Sequence, residues 1–335
     1  MNRTGLYKNI LIIKPGAIGD LLQMTPVIRA LSEIYPQAHI SLLVGSRASA
    51  DMFKYNQRIH RTYVFDKERE HRRFGAFLRF WQELRREKFD LVVNFQRSNI
   101  RTWLLATAAF PCRVLVYRKE RSPSVHAVVN YLETLAPLGI VPGRLDLEMA
   151  TGPGEQAQAK RILGSFVDPD APLIAINPGA SHSVNRWSTD SFAALADRLA
   201  ADMRARVVVI GGPADVPLAD AIAAKSKSRL LLLAGKLDLL QFAAVLQECD
   251  LLVSGDTGPM HMATAVGTPV LALFGAADPA RTGPVGAGHR VLQAEGITCV
   301  PCRSRVCKQT PPLACMDGIS GDAVFDAIRE MLNAV

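Results

Sequence analysis

The residues with the clearest chemical potential form the turn Asp256-Thr257-Gly258, which follows an apolar run and precedes Pro259. Proline fits the first turn of a helix, because its missing N–H needs no partner there. The N–H groups of such a turn point outward at the positive helix end, which stabilises an anion such as a diphosphate. His261 would face the same space. Asp and Thr are also ordinary N-cap residues, so capping without a ligand explains the turn equally.

A second acidic residue, Asp20, opens a helix predicted over about residues 19–35, after the loop in "ILIIKPGAIGDLLQMTPVIRAL", residues 10–31. The strand, glycine loop and helix are typical of a nucleotide-binding unit. However, Gly16 and Gly19 do not fit the dinucleotide motif G-x-G-x-x-G, and no acidic residue clearly ends the next apolar run, at 39–44. These departures disfavour an NAD oxidoreductase. Asp20 is either a helix cap or a group that takes up a proton.

Short apolar runs alternate with helical patterns, which is typical of parallel sheets covered by helices on both faces. The predicted strands lie at residues 9–14, 39–45, 61–66, 90–96 and 113–118, and then at 173–179, 206–213, 229–235, 250–256 and 269–275. Ligands bind beyond the carboxyl ends of such strands. Both acidic turns therefore fall where a site is expected.

A segment rich in Gly, Pro and acidic residues, 150–172, interrupts this pattern before it restarts. It predicts two facing, doubly wound α/β domains with parallel sheets, at 1–155 and 165–335, and a ligand cleft between them. The closing helix, residues 321–335, can return to pack on the N-terminal domain.

Charge is unevenly distributed along the 335 residues. Residues 1–150 hold 23 Lys and Arg against 13 Asp and Glu, and the densest basic stretch is 58–90. This stretch is either a solvated helix face or a surface for nucleic acid, an acidic sugar or an anionic membrane. No apolar run approaches the roughly 20 residues that span a bilayer, and we expect a cytoplasmic protein.

Four of the six cysteines cluster near the C-terminus in the spacing C-x2-C-x4-C-x7-C, at Cys299, Cys302, Cys307 and Cys315. Their number and the first pair allow a structural zinc site, although the longer gaps are not a common zinc pattern. Free thiols are the simpler interpretation, and a disulfide is disfavoured in a reducing compartment. No catalytic metal is expected.

The motifs resemble those of glycosyltransferase family 9, the ADP-heptose:lipopolysaccharide heptosyltransferases. The resemblance is carried by "KPGAIGDLLQMTPVIRAL", "LIAINPGASHSVNRWSTDSFAALADRLA", "LAGKLDLLQFAAVLQECDLLVSGD", "DTGPMHMATAVGTPVLALFGAADPARTGP" and "CVPCRSRVCKQTPPLACMDGIS", in this order over nearly the whole chain. It implies the GT-B architecture, with the acceptor on the N-terminal domain and the nucleotide sugar on the C-terminal one. It also implies an inverting transfer without a metal or other cofactor.

The resemblance assigns roles to single residues. Asp20 matches the general base, Thr257 and Gly258 the N–H groups on the leaving diphosphate, and Asp256 the group that holds sugar hydroxyls. The full implied donor set is Ser181, Arg186, Lys236, Leu237, Asp256, Thr257, Gly258 and His261, and the full acceptor set is Gly19, Gln96, Arg97, Arg101 and Arg118.

Two places leave the donor assignments open. Many family members have Lys-Arg-Trp where this chain has Asn185-Arg186-Trp187, so the diphosphate contact passes to Arg186 or Ser181. The segment Lys236-Leu237-Asp238 matches the adenosine loop, but Asp238 is equally explained as a helix N-cap.

The resemblance thus implies transfer of a heptosyl residue from an ADP-sugar to the anionic lipopolysaccharide core. The implied acceptor is Kdo-lipid A or heptosyl-Kdo, and the enzyme would briefly contact the anionic inner-membrane face. The alternatives are a different donor or acceptor within the family, a regulator with this fold that does not turn over, and a non-catalytic binder of nucleic acid or another anion. We expect no nucleic-acid partner.

Overall fold

The computed structural model describes residues 6–66, 69–96, 100–118 and 125–334, with the backbone alone at 100–102. The chain divides into two compact units, Met1–Ala150 and Thr151–Val335, here called the N-terminal unit and the C-terminal unit. Each contains a parallel sheet flanked by helices, which confirms the predicted α/β fold class. Within these ranges no helix is long and apolar enough to span a bilayer.

The N-terminal unit is built on a parallel sheet in the order β3-β2-β1-β4-β5. Its strands are β1 (Asn9–Ile13), β2 (His39–Val44), β3 (Arg61–Val64), β4 (Leu91–Asn94) and β5 (Arg113–Val116), and its helices are α1 (Ile18–Leu22), α2 (Thr25–Ile34), α3 (Arg47–Asp51), α4 (Phe74–Arg86), α5 (Ile100–Thr107) and α6 (Ala127–Leu132). The central strands β1 and β4 are buried apolar runs, because helices cover both faces of the sheet.

The continuous helix predicted over 19–35 is divided into α1 and α2. Pro26 lies in the first turn of α2, where its missing N–H is tolerated, whereas one continuous helix would place it in the interior. The Thr25 hydroxyl donates to the Leu22 carbonyl at 2.7 Å, which satisfies an end group of α1. The break makes α1 a short separate helix, and that helix carries Asp20.

The C-terminal unit is built on a second parallel sheet, in the order β11-β10-β9-β6-β7-β8. Its strands are β6 (Leu173–Asn177), β7 (Arg206–Val209), β8 (Leu230–Leu232), β9 (Leu251–Gly255), β10 (Val270–Leu273) and β11 (Arg290–Leu292), and its helices are α7 (Pro153–Leu163), α8 (Thr189–Met203), α9 (Val216–Lys225), α10 (Leu239–Gln247), α11 (Gly258–Val266), α12 (Pro279–Thr282), α13 (Ala314–Asp317) and α14 (Gly321–Asn333). Helices α9, α12 and α13 and strand β11 were not predicted.

Two elements near the predicted domain limits belong to the C-terminal unit. Helix α7 lies in the segment predicted as a linker, and it packs on α10. The sequence allowed helix α14 to pack back on the N-terminal domain. Its buried face, which includes Phe325 and Ile328, instead joins the C-terminal core beside α8 and β10. On the exposed face of α14, Asp322 forms an ion pair with Arg198 of α8 at 2.5 Å.

Candidate active site

The N-terminal site lies where the strand order of its sheet reverses. The chain runs from β1 out to β2 and β3, then returns to place β4 on the other side of β1. In doubly wound sheets this reversal opens a crevice beyond the carboxyl ends of the two central strands. Asp20 follows β1, and Gln96 follows β4.

Asp20 is not a helix cap. The N-cap of α1 is Ala17, and Asp20 is the third helical residue, so its side chain makes no capping hydrogen bond. The carboxylate instead contacts two side chains: the Tyr131 hydroxyl lies 3.2 Å from Oδ1, and Lys14 Nζ lies 3.5 Å from Oδ2. It keeps 47% of its side-chain surface exposed. The group is thus both held in place and open to a ligand.

Lys14 and Tyr131 form the buried side of this site. Lys14 Nζ donates to the Tyr131 hydroxyl at 3.0 Å, and only 7% of the Lys14 side chain is exposed. Burial lowers the Lys14 pKa, which the charge of Asp20 opposes. Burial also raises the Tyr131 pKa well above its ordinary value, and Asp20 adds to this. Tyr131 therefore stays protonated and acts as the hydrogen-bond donor to Asp20.

Gly16 allows the close approach of these groups. A Cβ atom on Gly16 would lie 3.1 Å from Lys14 Cε and 3.4 Å from Asp20 Oδ2. A side chain at this position would therefore crowd both ends of the ion pair.

Tyr131 also connects the ends of two further strands. Its ring meets Phe95, after β4, at a centroid distance of 5.4 Å and Tyr117, after β5, at 5.1 Å. Two predicted acceptor residues, Gln96 and Arg118, follow these aromatic residues directly.

The remaining predicted acceptor residues are placed as follows. Gly19 is the second residue of α1, the Gln96 N–H donates to Asn94 Oδ1 at 2.9 Å, and Arg118 is exposed. Arg97 and the side chain of Arg101 lie outside the described residues.

The C-terminal site lies at the corresponding reversal of the second sheet, between β6 and β9. The loop after β6 touches the end of β9, since a Cβ atom on Gly255 would lie 2.6 Å from the Asn185 carbonyl oxygen. Helix α11 starts at the predicted turn. Thr257 is its N-cap, with the hydroxyl accepting from the Met260 N–H, and Gly258 is its first residue. The free N–H groups and the helix dipole favour an anion here.

A cavity of about 220 Å³ lies beside this helix start. Its charged and polar lining comprises His182, Asn185, Asp256, Asp278, Arg281, Thr282, Arg303, Ser304 and Arg305. Arg303 pairs with Asp278 at 3.2 Å. Arg281 and Arg305 form no ion pair with any residue that the structure describes, so their charge is available to an anionic ligand.

Asp256 is set deep in this lining. Burial raises the pKa of its carboxyl to about 6, and a hydrogen bond with Thr282 acts in the opposite direction. The group is therefore largely ionised at neutral pH, at a free-energy cost to the folded state.

The other predicted donor residues do not line the cavity. Arg186 donates Nε–H and Nη2–H to the Ala180 carbonyl at 3.1 and 2.8 Å, which leaves three of its five N–H groups for a ligand. His261 is 5% exposed inside α11. Ser181 and Lys236 are exposed, and Leu237 is partly buried.

Asp238 caps α10. Its Oδ1 accepts from the Gln241 N–H at 2.8 Å, and its own N–H donates to Gln241 Oε1 at 3.0 Å. The capping interpretation thus accounts for Asp238.

The cysteine cluster has no metal-site geometry. All six cysteines are free thiols. Across the described ranges, no three His, Cys, Asp or Glu side chains are arranged to hold a metal ion, so the zinc expectation gains no support. Cys307 Sγ accepts from the Leu313 N–H at 3.3 Å, which lowers the pKa of this thiol, and Cys315 is buried, which raises its pKa.

Sequence reasoning missed five residues that the structure places at the two sites: Lys14, Tyr131, Arg281, Arg303 and Arg305. Lys14 had a usable signal, because it ends a buried strand just before the glycine loop. Tyr131 lies 111 residues from Asp20 in the chain and had none.

The comparisons with known proteins agree on one family. Residues 77–312 match the model of "Glycosyltransferase family 9 (heptosyltransferase)". The chain is similar to the lipopolysaccharide core heptosyltransferase OpsX of Haemophilus influenzae, at 25% identity over 295 residues, covering 83% of this chain and 82% of that protein.

Two solved structures share the fold. A glycosyltransferase family 9 protein from Veillonella parvula matches with a TM-score of 0.87 at 24% identity, over 100% of this chain and 99% of that one. The ADP-heptose lipopolysaccharide heptosyltransferase II of E. coli matches with a TM-score of 0.80 at 20% identity, over 97% and 99%.

Proposed function

The chain belongs to glycosyltransferase family 9, with the GT-B fold of that family, and we propose that it transfers a heptosyl residue from ADP-heptose to the lipopolysaccharide inner core with inversion at the anomeric carbon. The proposed acceptor is Kdo-lipid A or heptosyl-Kdo. Relatives named as lipopolysaccharide heptosyltransferases support this choice of substrates.

The observation that carries the proposal is the state of Asp20. A base for sugar transfer must reach the acceptor hydroxyl and keep a fixed orientation. Asp20 meets both needs, because half of its side chain is exposed while Tyr131 and Lys14 hold its two oxygens. A capping carboxylate would be turned toward the N–H groups of its own helix, and this one is not.

In the proposed step, the acceptor hydroxyl oxygen attacks the anomeric carbon as its proton passes to Asp20. The bond between that carbon and the diphosphate oxygen breaks, and ADP leaves with the electron pair. Lys14 and Tyr131 are positioning residues, since they contact the carboxylate rather than the substrate. A carboxylate has about four acceptor sites, so two contacts leave room for the incoming hydroxyl.

The leaving diphosphate is assigned to the C-terminal unit. The N–H groups at Thr257 and Gly258 would take up developing negative charge, while Asp256 holds sugar hydroxyls. Arg281 and Arg305 would supply the positive charge that Asn185 lacks in the cavity wall.

The rest of the predicted donor set keeps its proposed roles. Arg186 and Ser181 would add contacts to the phosphates, Lys236 and Leu237 would lie at the adenosine, and His261 would act beside the donor from within α11.

The acceptor is assigned to the N-terminal unit. Gly19 and Gln96 would flank the reacting hydroxyl, and Arg97, Arg101 and Arg118 would pair with the phosphates and carboxylates of the core. We place the reaction in the cytoplasm, at the membrane face where a lipid-linked acceptor is presented.

The function is tested by ADP release from purified protein with a panel of ADP- and UDP-sugars, using Kdo-lipid A and heptosyl-Kdo-lipid A as acceptors. We expect turnover with ADP-heptose and one of these acceptors, and NMR of the product should show the anomeric configuration inverted relative to the donor.

Transfer from another nucleotide sugar, or retention of configuration, would contradict the proposed donor or mechanism. ADP binding without transfer to either acceptor would contradict the proposed acceptor.

A further inference from the structure

The N-terminal unit carries an exposed apolar patch on α4 and α5. Phe74, Leu78, Trp103 and Leu104, here called the apolar face, are 78%, 41%, 42% and 46% exposed. Phe74 and Leu78 are one turn apart and so share a side of α4. The next turn of that side carries Trp81, whose Nε1–H donates to the Leu104 carbonyl at 3.1 Å. This hydrogen bond joins the two helices that carry the apolar face.

Unpaired arginines surround this face. Arg72, Arg73, Arg79, Arg85 and Arg86 are exposed, and the described residues offer none of them an ion-pair partner. The acidic residue of the same helix, Glu83, and the C-cap residue Glu87 are already engaged, since Arg61 pairs with them at 3.1 and 2.8 Å. Arg85 lies over the Trp81 ring at 5.3 Å, so its guanidinium borders the apolar face directly.

The C-terminal unit has no equivalent surface in its described residues. Its exposed large apolar side chains are Val167, Val216 and Val306, which are small and scattered, whereas the exposed aromatic residues all belong to the N-terminal unit. Isolated exposed valines are ordinary, but a contiguous patch with aromatic residues marks an interaction surface.

We propose that the apolar face and its five arginines dock on an anionic phospholipid bilayer. Phenylalanine, leucine and tryptophan fit the boundary between head groups and acyl chains, and arginines around them fit lipid phosphates. Nucleic acid would match the charge but would leave the Phe74 and Leu78 side chains without a partner. The proposal rests on the proposed function only in that the membrane carries the acceptor.

The position of the face suits this role. Helices α4 and α5 follow β3 and β4, so both begin at the carboxyl edge of the sheet, the edge that also carries Asp20. Phe74 opens α4, and Trp103 and Leu104 lie in the middle of α5. Docking here would bring a lipid-linked sugar to the reacting edge of the same unit.

The test is flotation of the full-length protein with vesicles of phosphatidylethanolamine and phosphatidylglycerol, free of acceptor, compared with phosphatidylcholine vesicles. We expect binding to the anionic vesicles only. The double variant Phe74→Ser/Leu78→Gln should lower the partition coefficient about tenfold, and Arg79→Gln/Arg86→Gln should lower it mainly at low salt. Val141→Ser, which changes an 80% exposed valine outside the apolar face, is the matched control and should bind as the wild type does.

Wild-type protein that does not float, or a double variant that floats equally well, would overturn the proposal, and so would retention on RNA with none on vesicles. Circular dichroism confirms that the variants are folded, since the changed side chains are at the surface. The transfer assay with a water-soluble acceptor fragment separates the two proposals. If no transfer to the fragment occurs, the proposed reaction is contradicted, but the vesicle-binding result still holds. If docking is correct, the double variant keeps its rate on that fragment and loses it on vesicle-borne acceptor.

Discussion

Asp20 and Asp256 each follow one of the two central strands at the reversal point of a parallel sheet, Asp20 after β1 and Asp256 after β9, but their surroundings differ. Asp20 is half exposed and is held by a lysine and a tyrosine. Asp256 is mostly buried, and burial raises its pKa to about 6. The first arrangement keeps a carboxylate oriented and reachable, whereas the second holds a mostly buried carboxylate in a cavity lined by arginines.

This difference shows that the position of a residue in the fold does not determine its chemical role. The same topology places an acid at both edges, and the neighbours decide what each acid can do. A reachable carboxylate with fixed orientation suits proton transfer, and a confined one among cations suits binding a polar ligand. Variants that alter the neighbours rather than the acids therefore test the comparison.

Among the variants that leave Asp20 itself in place, Lys14→Met should have the largest effect. It removes the cation beside Asp20 and keeps most of the length of the side chain, so the carboxylate loses part of its fixed orientation. We expect kcat to fall about 100-fold, with KM for ADP-heptose unchanged, because misplacing a reacting group by about 1 Å can cost that much. Steady-state kinetics measure both. Lys54→Met, an exposed lysine of the same unit, is the control, and a change in KM alone would contradict the assignment.

Asp256→Asn should stabilise the protein at high pH. Because the folded pKa of about 6 exceeds the ordinary 3.8, the free energy of unfolding falls as pH rises between these values, and the full penalty remains above pH 6. The shift sets an upper bound of about 3 kcal/mol, and partial exposure reduces it to about 1–2 kcal/mol.

Asparagine carries no such penalty. Urea denaturation at pH 8 should therefore show a free energy of unfolding higher than that of the wild type by this amount, and the difference should disappear near pH 4. An equal gain at both pH values would show that ionisation is not the cause.

Arg281→Ala should weaken ADP binding about tenfold, since a charge-assisted hydrogen bond is worth about 1.5–3 kcal/mol. Calorimetric titration with ADP measures this directly. Arg161→Ala, on the exposed side of α7, provides a matched loss of charge in the same unit. Equal affinities for these two variants would mean that the cavity is not the diphosphate site.

Gly16→Ala should have the smallest effect, a decrease in kcat of about threefold. The new Cβ atom would approach Lys14 Cε and must displace it by a few tenths of an ångström, which shifts the ion pair without removing it. Gly154→Ala, where a Cβ atom meets open space, should leave kcat unchanged. A Gly16→Ala variant as fast as the wild type would indicate that the geometry around Asp20 tolerates displacement.

The features that could be predicted from the sequence are those that depend on neighbouring residues in the chain. Alternating apolar runs predicted both sheets, because buried parallel strands are apolar along their whole length, and the turn at Asp256 predicted the start of α11. The partners of Asp20 could not be found in this way, since Tyr131 reaches it only through the packing of α6 on α2. The packing of α14 could not be predicted for the same reason, because its apolar stripe shows that the helix is buried but not which element it packs against.

The central claim is that Asp20 takes the proton from the acceptor, and single-turnover transfer by Asp20→Asn tests it most directly. The variant keeps the shape of the side chain and removes the base. We predict a rate about 100-fold or more below that of the wild type, with the affinity for ADP-heptose unchanged. The control Asp51→Asn, which changes an exposed acid at the end of α3, should behave as the wild type does. Single-turnover transfer by Asp20→Asn at the wild-type rate would contradict the account.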